Sequence, residues 1–305
     1  MNVVLFGAGE MGKRIIEKSK YNVIAVIDNN PEMCGKQVCG KRIVSLDEYK
    51  KSYSEYQILI STYRIDEIKE QLYTSGISNF SVAPELYEDT SVLRDEKIAH
   101  GNWINYLIDL CDKPGMKVLE VGSRKVTDDS FRDKFKYASY VGFDYYSGEN
   151  VDIVGDAHKL SSYFGEKFDL IFSSAVFEHF ALPWMVSIEM VKLLKQGGYV
   201  FVETHYSYSS HERPWHFFQY SENALDVLFP EKFGMRCVKK GCSNLLEGKF
   251  SIDSSEYLQG RIVKGLYCHS EYLGQKFKDV DEMQLDWASI SLDDVRKGTE
   301  YPKKA

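Results

Sequence analysis

Short apolar runs alternate with helix-forming segments along the first third of the chain. Runs rich in Val and Ile predict strands, and stretches with an apolar residue every three or four positions predict helices. Ser45 and Glu48 form a capping-box pattern that opens one further short helix. The predicted order is strand 2–6, helix 10–19, strand 22–27, strand 57–61, helix 65–73 and strand 80–83.

A second series with the same layout follows residue 100. A helix near 103–111 and a Pro114-Gly115 turn lead into it. In both series the first strand ends in a glycine turn and the second strand ends in Asp, which is the beginning of a right-handed βαβ unit. The remaining predicted elements are strands at 117–121, 139–143, 168–173 and 198–204, which alternate with helical stretches, and a last helix at 220–228.

Two such series predict an α/β protein with two Rossmann-like doubly wound domains. A chain of 305 residues has room for roughly two domains. We predict a small N-terminal domain over 1–90, a linker over 91–100, a larger domain over 101–280 and a polar C-terminal tail over 281–305.

The charge balance argues against a nucleic-acid partner. The chain has 38 Lys and Arg against 45 Asp and Glu, a net charge of −7, and so lacks a basic excess to bind a phosphate backbone.

No apolar run approaches the roughly 18 residues of a membrane span. Met1–Gly7 lacks the basic start of a signal peptide, and six cysteines are too few for a disulfide scaffold. We therefore expect a cytoplasmic protein with no membrane span, and a homo-oligomer stays open.

The spacing of Cys and His predicts no metal site. Cys34 and Cys39 are separated by four residues, as are Cys237 and Cys242, and no nearby His completes either pair. Four of the seven histidines fall between 179 and 216, but none of their spacings forms a known ligand pair.

The glycines near the N-terminus fit a dinucleotide-binding pattern. Gly7, Gly9 and Gly12 form G-x-G-x-x-G between a predicted strand and a predicted helix. Asp28 ends the next strand, about 20 residues further on, where an acid would hold a ribose. These four residues are the candidate second nucleotide site.

Residues 116–205 carry a series of motifs in a fixed order. In that order and spacing, they resemble the class I S-adenosylmethionine-dependent methyltransferases, especially those that act on small molecules and sugars. The motifs are Val118–Gly122, Asp144, Gly155-Asp156-Ala157-His158, Phe168–His179 and Leu193–Tyr199.

The resemblance implies that S-adenosylmethionine binds at the strand ends of this domain. Asp144 would bind both ribose hydroxyls, because a carboxylate can accept two O–H bonds from a vicinal diol. Asp156 would receive the adenine amino group, and the Gly122 turn would lie under the methionine part. The implied cofactor-binding residues are Glu120, Gly122, Ser123, Arg124, Asp144, Asp156, Ala157, His158, Ser173 and Ser174.

The first motif departs from the pattern of these methyltransferases. Gly-x-Gly-x-Gly is usual, but here Gly122 is followed by Ser123, Arg124, Lys125 and Val126. Two glycines that let the backbone approach a ligand are missing. Either cofactor binding is weakened, or the Arg124 guanidinium pairs with the methionine carboxylate, or Arg124 points to solvent.

The first 85 residues carry a second resemblance. Asp28-Asn29-Asn30-Pro31, Gly35 and Gly40-Lys41-Arg42-Ile43-Val44 resemble the small N-terminal domain found ahead of sugar-modifying acyltransferases and some methyltransferases of surface-polysaccharide gene sets. The resemblance implies that this domain binds a nucleotide or nucleotide-sugar, or serves as a scaffold. A redox domain is the third alternative, although no catalytic set is recognisable in it.

A segment rich in histidine and aromatic residues follows the last strand of the second series. His205 closes that strand, and His211, Trp215 and His216 follow on a loop beyond the strand ends, where ligands of open α/β sheets bind. We predict His205 as the catalytic base, with His216 second, because imidazole titrates near neutrality. His179, His211 and Trp215 are candidate substrate residues. Packing on the sheet is expected for Trp215, Phe217 and Phe218, as for most aromatics.

These observations lead to a functional hypothesis. The chain is predicted to be a methyltransferase that uses S-adenosylmethionine to O-methylate a sugar or nucleotide-sugar in surface-polysaccharide biosynthesis. Its substrate would then be a small, sugar-type molecule. Two alternatives stay open: a non-catalytic nucleotide-sugar-binding or assembly protein with a degenerate methyltransferase domain, and an NAD-dependent oxidoreductase.

Overall fold

The computed structural model of the protein describes residues 1–18, 20–126 and 130–296. It divides the chain into two compact units. Unit 1 consists of residues 1–89 and 247–265, and unit 2 consists of residues 90–246 and the chain from 266 onward. Of the predicted elements, Ser19 at the end of the first helix and 297–305 of the polar tail lie outside the described residues.

Unit 1 is a parallel sheet with three helices. Its strands are rich in Val, Ile and Leu, which suits strands that are covered on both faces. The elements of residues 1–89 are β1 (Asn2–Phe6), α1 (Glu10–Lys18), β2 (Asn22–Ile27), β3 (Gln37–Val38), β4 (Lys41–Val44), α2 (Leu46–Ser52), β5 (Gln57–Ile60), α3 (Ile65–Thr74) and β6 (Phe80–Val82).

The strand order of this sheet is β3-β4-β2-β1-β5-β6. All neighbours are parallel except β3, which pairs antiparallel with β4. The direction of winding reverses between β1 and β5, so the crevice for a ligand lies at the carboxyl ends of these two strands. The Gly7–Gly12 segment leaves β1 at that point.

A segment distant in sequence completes unit 1. Residues 247–265 form the antiparallel pair β13 (Gly248–Lys249) and β14 (Ile262–Val263). The Lys249 ammonium lies 3.1 Å from the Asp66 carboxylate, and Lys264 Nζ donates to the Tyr63 hydroxyl at 2.6 Å. The predicted domain boundaries place this segment in the larger domain of residues 101–280, because its contacts with residues 63–66 cannot be recognised in the local sequence.

Unit 2 is a seven-stranded sheet with helices on both faces. Its elements are α4 (Trp103–Cys111), β7 (Lys117–Val121), β8 (Ser139–Asp144), β9 (Ile153–Val154), β10 (Phe168–Ser174), α5 (Pro183–Leu193), β11 (Leu194–His205), α6 (Glu222–Val227), β12 (Met235–Leu245), β15 (Tyr267–Lys276) and α7 (Leu292–Arg296).

The strand order in unit 2 is β12-β15-β11-β10-β7-β8-β9. Strands β7 to β11 are mutually parallel where they pair, and β15 is antiparallel to both β11 and β12. The reversal of winding lies between β7 and β10. The α/β fold class predicted from the sequence is confirmed.

Alternate residues of the central strands pack into two separate cores. On one face, Phe201 and Phe172 pack against Trp103 of α4, with ring centroids 4.8 and 5.8 Å from the indole. On the other face, Val200 and Val202 join the core that contains the buried side of α5. This period-two alternation is the sequence pattern of a sheet covered by helices.

Two parts of unit 2 differ from the predicted layout. Residues 91–100, predicted as a linker, pack into the unit: Ile98 is fully buried, and Cys242 N–H donates to the carbonyl of Leu93 at 2.8 Å. Between β7 and β8, a helical stretch was expected, but the described residues there form only a 3₁₀ turn at Arg132–Lys134. No helix within 1–18, 20–126 and 130–296 is long and apolar enough to cross a membrane.

Candidate functional site

The turn after β7 is built on Gly122. Its N–H donates to the Phe143 carbonyl at 2.8 Å, and its φ of +89° lies in the left-handed region that favours glycine. A Cβ at Gly122 would lie 2.2 Å from Cγ2 of Val176, so the Val176 side chain occupies the space that glycine leaves open. Gly122 is therefore required by the backbone turn and by the approach of Val176.

Asp144 at the end of β8 already has partners within the chain. One carboxylate oxygen accepts the Arg124 N–H at 3.0 Å, and the other accepts the Tyr146 N–H at 3.0 Å. The Arg124 side chain lies near the same carboxylate: its Nε is 3.9 Å from Asp144 Oδ1, and its guanidinium carbon is 5.9 Å from the centre of the Tyr146 ring. Arg124 thus faces the predicted ribose acid. Each carboxylate oxygen keeps a further lone pair for a ligand hydroxyl.

Asp156 caps the 3₁₀ segment that follows β9. Its Oδ1 accepts the His158 N–H at 2.9 Å and lies 2.7 Å from His158 Nδ1. Burial raises the pKa of Asp156, but the hydrogen bonds from His158 outweigh burial and hold it below its usual range. Asp156 is therefore an ionised carboxylate. Ala157 between the two residues is buried.

The other residues predicted to bind S-adenosylmethionine lie in β7, in the turn after it or in β10, and all of them except Ser174 are buried. Ser123 Oγ donates to the Asn150 carbonyl at 3.2 Å, and Ser173 Oγ donates to the Val121 carbonyl at 2.8 Å. Glu120 is 4% exposed and accepts a hydrogen bond from the Tyr140 hydroxyl. Ser174 Oγ donates to the carboxylate of Glu203 at 2.9 Å. Their role in binding a cofactor stays a prediction, although their polar groups already have partners.

The glycine turn of unit 1 repeats the hydrogen bonds of the Gly122 turn. Gly7 N–H donates to the Ile27 carbonyl at 2.8 Å, and Asp28 accepts N–H bonds from Ala8 at 2.9 Å and from Asn30 at 2.8 Å. The carboxylate at the end of the second strand therefore stabilises the turn after the first strand. In both units the Asp has this structural role without a ligand.

Gly9 and Gly12 differ in what their missing side chains allow. A Cβ at Gly12 would lie 2.2 Å from the Gly7 carbonyl oxygen, so this glycine lets α1 approach β1. A Cβ at Gly9 would meet no atom within 4 Å. Gly9 thus borders open space, as a backbone that approaches a ligand must.

A buried carboxylate and several histidines meet at the carboxyl ends of β10 and β11. Glu178, in the turn after β10, is 0% exposed, and its Oε1 lies 2.8 Å from His205 Nδ1. Its second oxygen accepts the Thr204 hydroxyl at 2.6 Å. His179 Nε2 lies 3.9 Å from the same Oε1, and His211 stands edge-on to His205 at 5.3 Å. We call Glu178, His179, His205 and His211 the histidine cluster.

The loop after β11 contributes His211 to the histidine cluster and contacts His179. His211 N–H donates to His216 Nδ1 at 3.2 Å, and the Trp215 carbonyl lies 2.8 Å from His179 Nδ1. Trp215 is 62% exposed and Phe217 is 42% exposed, so the expectation that they pack on the sheet is wrong for both. Phe218 does pack against the core. The loop therefore presents aromatic faces to solvent beside the histidines.

A second polar group lies on the antiparallel strands next to the histidine cluster. Glu203 and Glu271 are directly opposite each other on β11 and β15, as are His205 and His269. His100 bridges the two carboxylates: its Nδ1 lies 3.0 Å from Glu203 Oε2, and its N–H donates to Glu271 Oε1 at 3.1 Å. The His100 and His269 rings stack at 4.0 Å.

The charges of this group follow from its burial. Burial, and then the neighbouring Glu203 carboxylate, raise the pKa of Glu271 to about 8. Burial lowers the pKa of His269 to about 4, whereas the hydrogen bond with Glu203 raises the pKa of His100. At neutral pH Glu271 is therefore mostly protonated and His269 is neutral, because burial disfavours the charged form of each.

Sequence reasoning missed Glu178, Glu203, Glu271, His100 and His269 as site residues. One signal was present: Glu203-Thr204-His205 and His269-Ser270-Glu271 are mirror patterns, which an antiparallel register places face to face. Period-two spacing puts Glu and His on the same face of each strand. Recognising this required knowing that β11 and β15 are neighbours.

Comparison with known proteins agrees with this architecture. Residues 1–82 match the family described as C2185-like, N-terminal. Residues 94–233 match the family described as Methyltransferase domain. No curated protein matches the chain.

Several solved structures are similar to part of the chain. TehB from Haemophilus influenzae is 17% identical with a TM-score of 0.39, over 57% of this chain and 61% of that chain. The YcgJ protein from Bacillus subtilis is 16% identical with a TM-score of 0.40, over 58% and 98% of the two chains. The N-methyltransferase NodS from Bradyrhizobium japonicum is 15% identical with a TM-score of 0.36, over 57% and 94%. Residues 94–233 of the chain are thus similar to a methyltransferase domain.

Proposed function

We propose that the protein transfers the methyl group of S-adenosylmethionine to a hydroxyl group of a sugar or nucleotide-sugar. The observation that supports this most is the composition of one sheet edge in unit 2. Asp144 ends β8 and Asp156 follows β9, at the edge where Glu178 follows β10 and His205 ends β11. The acids predicted to bind the donor and the groups able to take a proton thus share the carboxyl edge, where ligands of such sheets bind.

In this reaction the acceptor oxygen attacks the methyl carbon while the carbon–sulfur bond of the sulfonium breaks. The hydroxyl proton passes to a base, and S-adenosylhomocysteine leaves. The protein's main contribution is to align the two reactants. We assign the base to His205, with His216 second. The Glu178 carboxylate lies 2.8 Å from His205 and stabilises the imidazolium that forms.

A sugar acceptor is supported by the loop after β11. Tyr208, Trp215 and Phe217 are 51%, 62% and 42% exposed, so their ring faces can stack on a sugar. His211 on this loop and His179 next to it, with ring centroids 4.9 Å apart, are our substrate candidates and can hydrogen-bond to hydroxyl groups.

Calorimetry with S-adenosylmethionine tests the donor site. Asp144→Ala and Asp156→Ala are each expected to weaken binding by roughly ten-fold or more, because a polar ligand group loses a charged partner. Asp169→Ala is the matched control: Asp169 lies in β10 toward its amino end and bonds to Lys117 N–H and to Lys195. Unchanged affinity in both site variants would rule out this donor site.

Methyl transfer tests the acceptor class. The full chain is incubated with methyl-labelled S-adenosylmethionine and with UDP-, GDP- and dTDP-linked sugars or the free sugars, and products are identified by mass spectrometry. We expect one nucleotide-sugar or sugar to gain a single methyl group. If the protein binds the donor and no sugar of the panel is methylated, the sugar assignment is wrong.

For unit 1 we propose a nucleotide or nucleotide-sugar site at Gly7, Gly9, Gly12 and Asp28. The open space at Gly9 supports it, since a Cβ there would meet no atom of the protein within 4 Å and a side chain at this position would stand where a pyrophosphate approaches. UDP-glucose is expected to raise the Tm of the full chain by mass action and to lose this effect in Gly9→Val, while S-adenosylmethionine binding persists. No thermal shift with UDP-glucose, dTDP-glucose or NAD would leave the scaffold role.

A further inference from the structure

We propose that Glu178, His205 and His211 bind a divalent transition-metal ion. One ligand atom from each of the three residues lies within 4.8 Å of the other two. The three come from separate parts of the sequence, namely the turn after β10, the last residue of β11 and the loop beyond it. Their convergence is a product of the fold, which explains why no spacing in the sequence indicated it.

Two of the ligand atoms are buried and have no hydrogen-bond partner among the described residues. Glu178 is 0% exposed and His205 is 8% exposed. Glu178 Oε1 and His205 Nδ1 are 2.8 Å apart but do not meet the angular requirements of a hydrogen bond, and neither atom has another hydrogen-bond partner among the described residues. A buried carboxylate oxygen and a buried ring nitrogen without hydrogen-bond partners are atoms that a bound ion could satisfy.

The groups around the cluster hold the ligands as metal sites require. The Thr204 hydroxyl donates to Glu178 Oε2 at 2.6 Å and so orients the carboxylate, leaving Oε1 for the ion. His211 Nδ1 lies 3.0 Å from the Ser209 carbonyl, which places its proton there and leaves Nε2 as the ligand. Metal-binding histidines usually fix their second ring nitrogen in this way.

The donor set selects the class of ion. Two imidazoles and one carboxylate suit zinc, iron, nickel or copper, whereas magnesium and calcium prefer oxygen ligands alone. Three protein ligands also leave a coordination position open, as in catalytic zinc sites. His179 Nε2 lies 3.9 Å from Glu178 Oε1, close to the three proposed ligands.

This site would change the role of His205, a consequence that rests on the proposed function. With the ion bound, His205 is a ligand and cannot act as a free base. A hydroxyl group at the open position would instead have its pKa lowered by the ion and lose its proton more readily. Chelation would then stop methyl transfer, whereas a free imidazole base would be indifferent to it.

Zinc binding by the full chain tests the proposal without any activity measurement. Protein treated with a chelator and desalted is titrated with Zn²⁺ by calorimetry, and the metal content of untreated protein is measured by mass spectrometry. We expect one Zn²⁺ per chain. Glu178→Gln and His211→Asn are each expected to weaken binding by about 100-fold or more, and Thr204→Val by about 10- to 100-fold.

His158→Asn is the matched control for zinc binding, because His158 hydrogen-bonds to Asp156 and is not one of the three proposed ligands. His211 lies on a loop and is only partly buried, so its variant tests the site even if Glu178→Gln fails to fold. Absence of zinc uptake, or equal affinity in wild type and both ligand variants, overturns the proposal. S-adenosylmethionine calorimetry on the metal-free protein separates the two ideas: donor binding without zinc binding refutes only the metal site, and the reverse refutes only the proposed function.

Discussion

Glu120→Gln tests whether the carboxyl group of Glu120 in β7 is a buried structural group. Glu120 is 4% exposed and bonds to the Tyr140 hydroxyl. Burial raises the pKa of Glu120 from 4.5 to about 7, although the Tyr140 hydrogen bond and nearby Arg132 oppose this. As pH rises from 4.5 to 7, the unfolded chain ionises at this carboxyl while the folded protein retains the proton. Folding stability therefore falls through that window and is constant above it.

The size of the effect follows from the two pKa values. At about 1.4 kcal/mol per pKa unit, a rise from 4.5 to about 7 costs the folded state about 3 kcal/mol at high pH. Between pH 5 and pH 8 the change is about 2.5 kcal/mol, because part of the ionisation of the unfolded chain lies below pH 5. Gln keeps the hydrogen bond with Tyr140 and has no charge. The free energy of unfolding of the variant minus that of wild type should therefore increase by about 2.5 kcal/mol from pH 5 to pH 8.

Urea unfolding followed by tryptophan fluorescence is the assay. All four tryptophans lie in unit 2, and Trp103 packs in the core on the face of β7 that carries Glu120, so the signal reports the relevant transition. Glu189→Gln is the control. Burial raises the pKa of Glu189, but hydrogen bonds from Lys192 and Ser161 lower it below 4.5, so its difference from wild type should be flat over pH 5–8. A flat difference for Glu120→Gln as well would refute the reasoning.

Two further predictions concern other parts of the molecule. Gly12→Ala should lower the Tm measured by scanning calorimetry and reduce the free energy of unfolding by roughly 1–3 kcal/mol, because the added Cβ would lie 2.2 Å from a carbonyl oxygen. Gly9→Ala should leave the Tm unchanged, because its Cβ would meet no atom within 4 Å. His205→Asn should reduce methyl transfer by about 100-fold or more with the affinity for S-adenosylmethionine unchanged in calorimetry; full turnover in this variant would move the base to the loop.

The local pattern of the sequence predicted most strands of both sheets. The strand predicted at 2–6 is β1, that at 117–121 is β7, and that at 139–143 is all but the last residue of β8. Such strands are short, apolar and bounded by Gly or Asp, and these properties are visible within a few residues. The same holds for the glycine turns. Asp28 and Asp144 were correctly placed at strand ends because a strand end is a local feature.

The failures share one physical cause, which is that distant segments meet only when the chain folds. Residues 247–265 complete unit 1 through contacts with residues 63–66, far away in sequence. The predicted helix after β7 was a local expectation, but the described residues there are held by tertiary bonds, among them Arg132 with Asn150 and Asp152.

The sequence by itself determined the two α/β units, the glycine turns and the strand-end acids, because hydrophobic periodicity and turn chemistry act over a few residues. The tertiary structure decided the composition of the histidine cluster and of the polar group beside it. Glu178 meets His205 because β10 and β11 are neighbours in the sheet, and Glu203 meets Glu271 because β11 and β15 pair in one register. Strand order and register depend on which apolar faces pack together across the whole unit, and no short stretch of sequence carries that information.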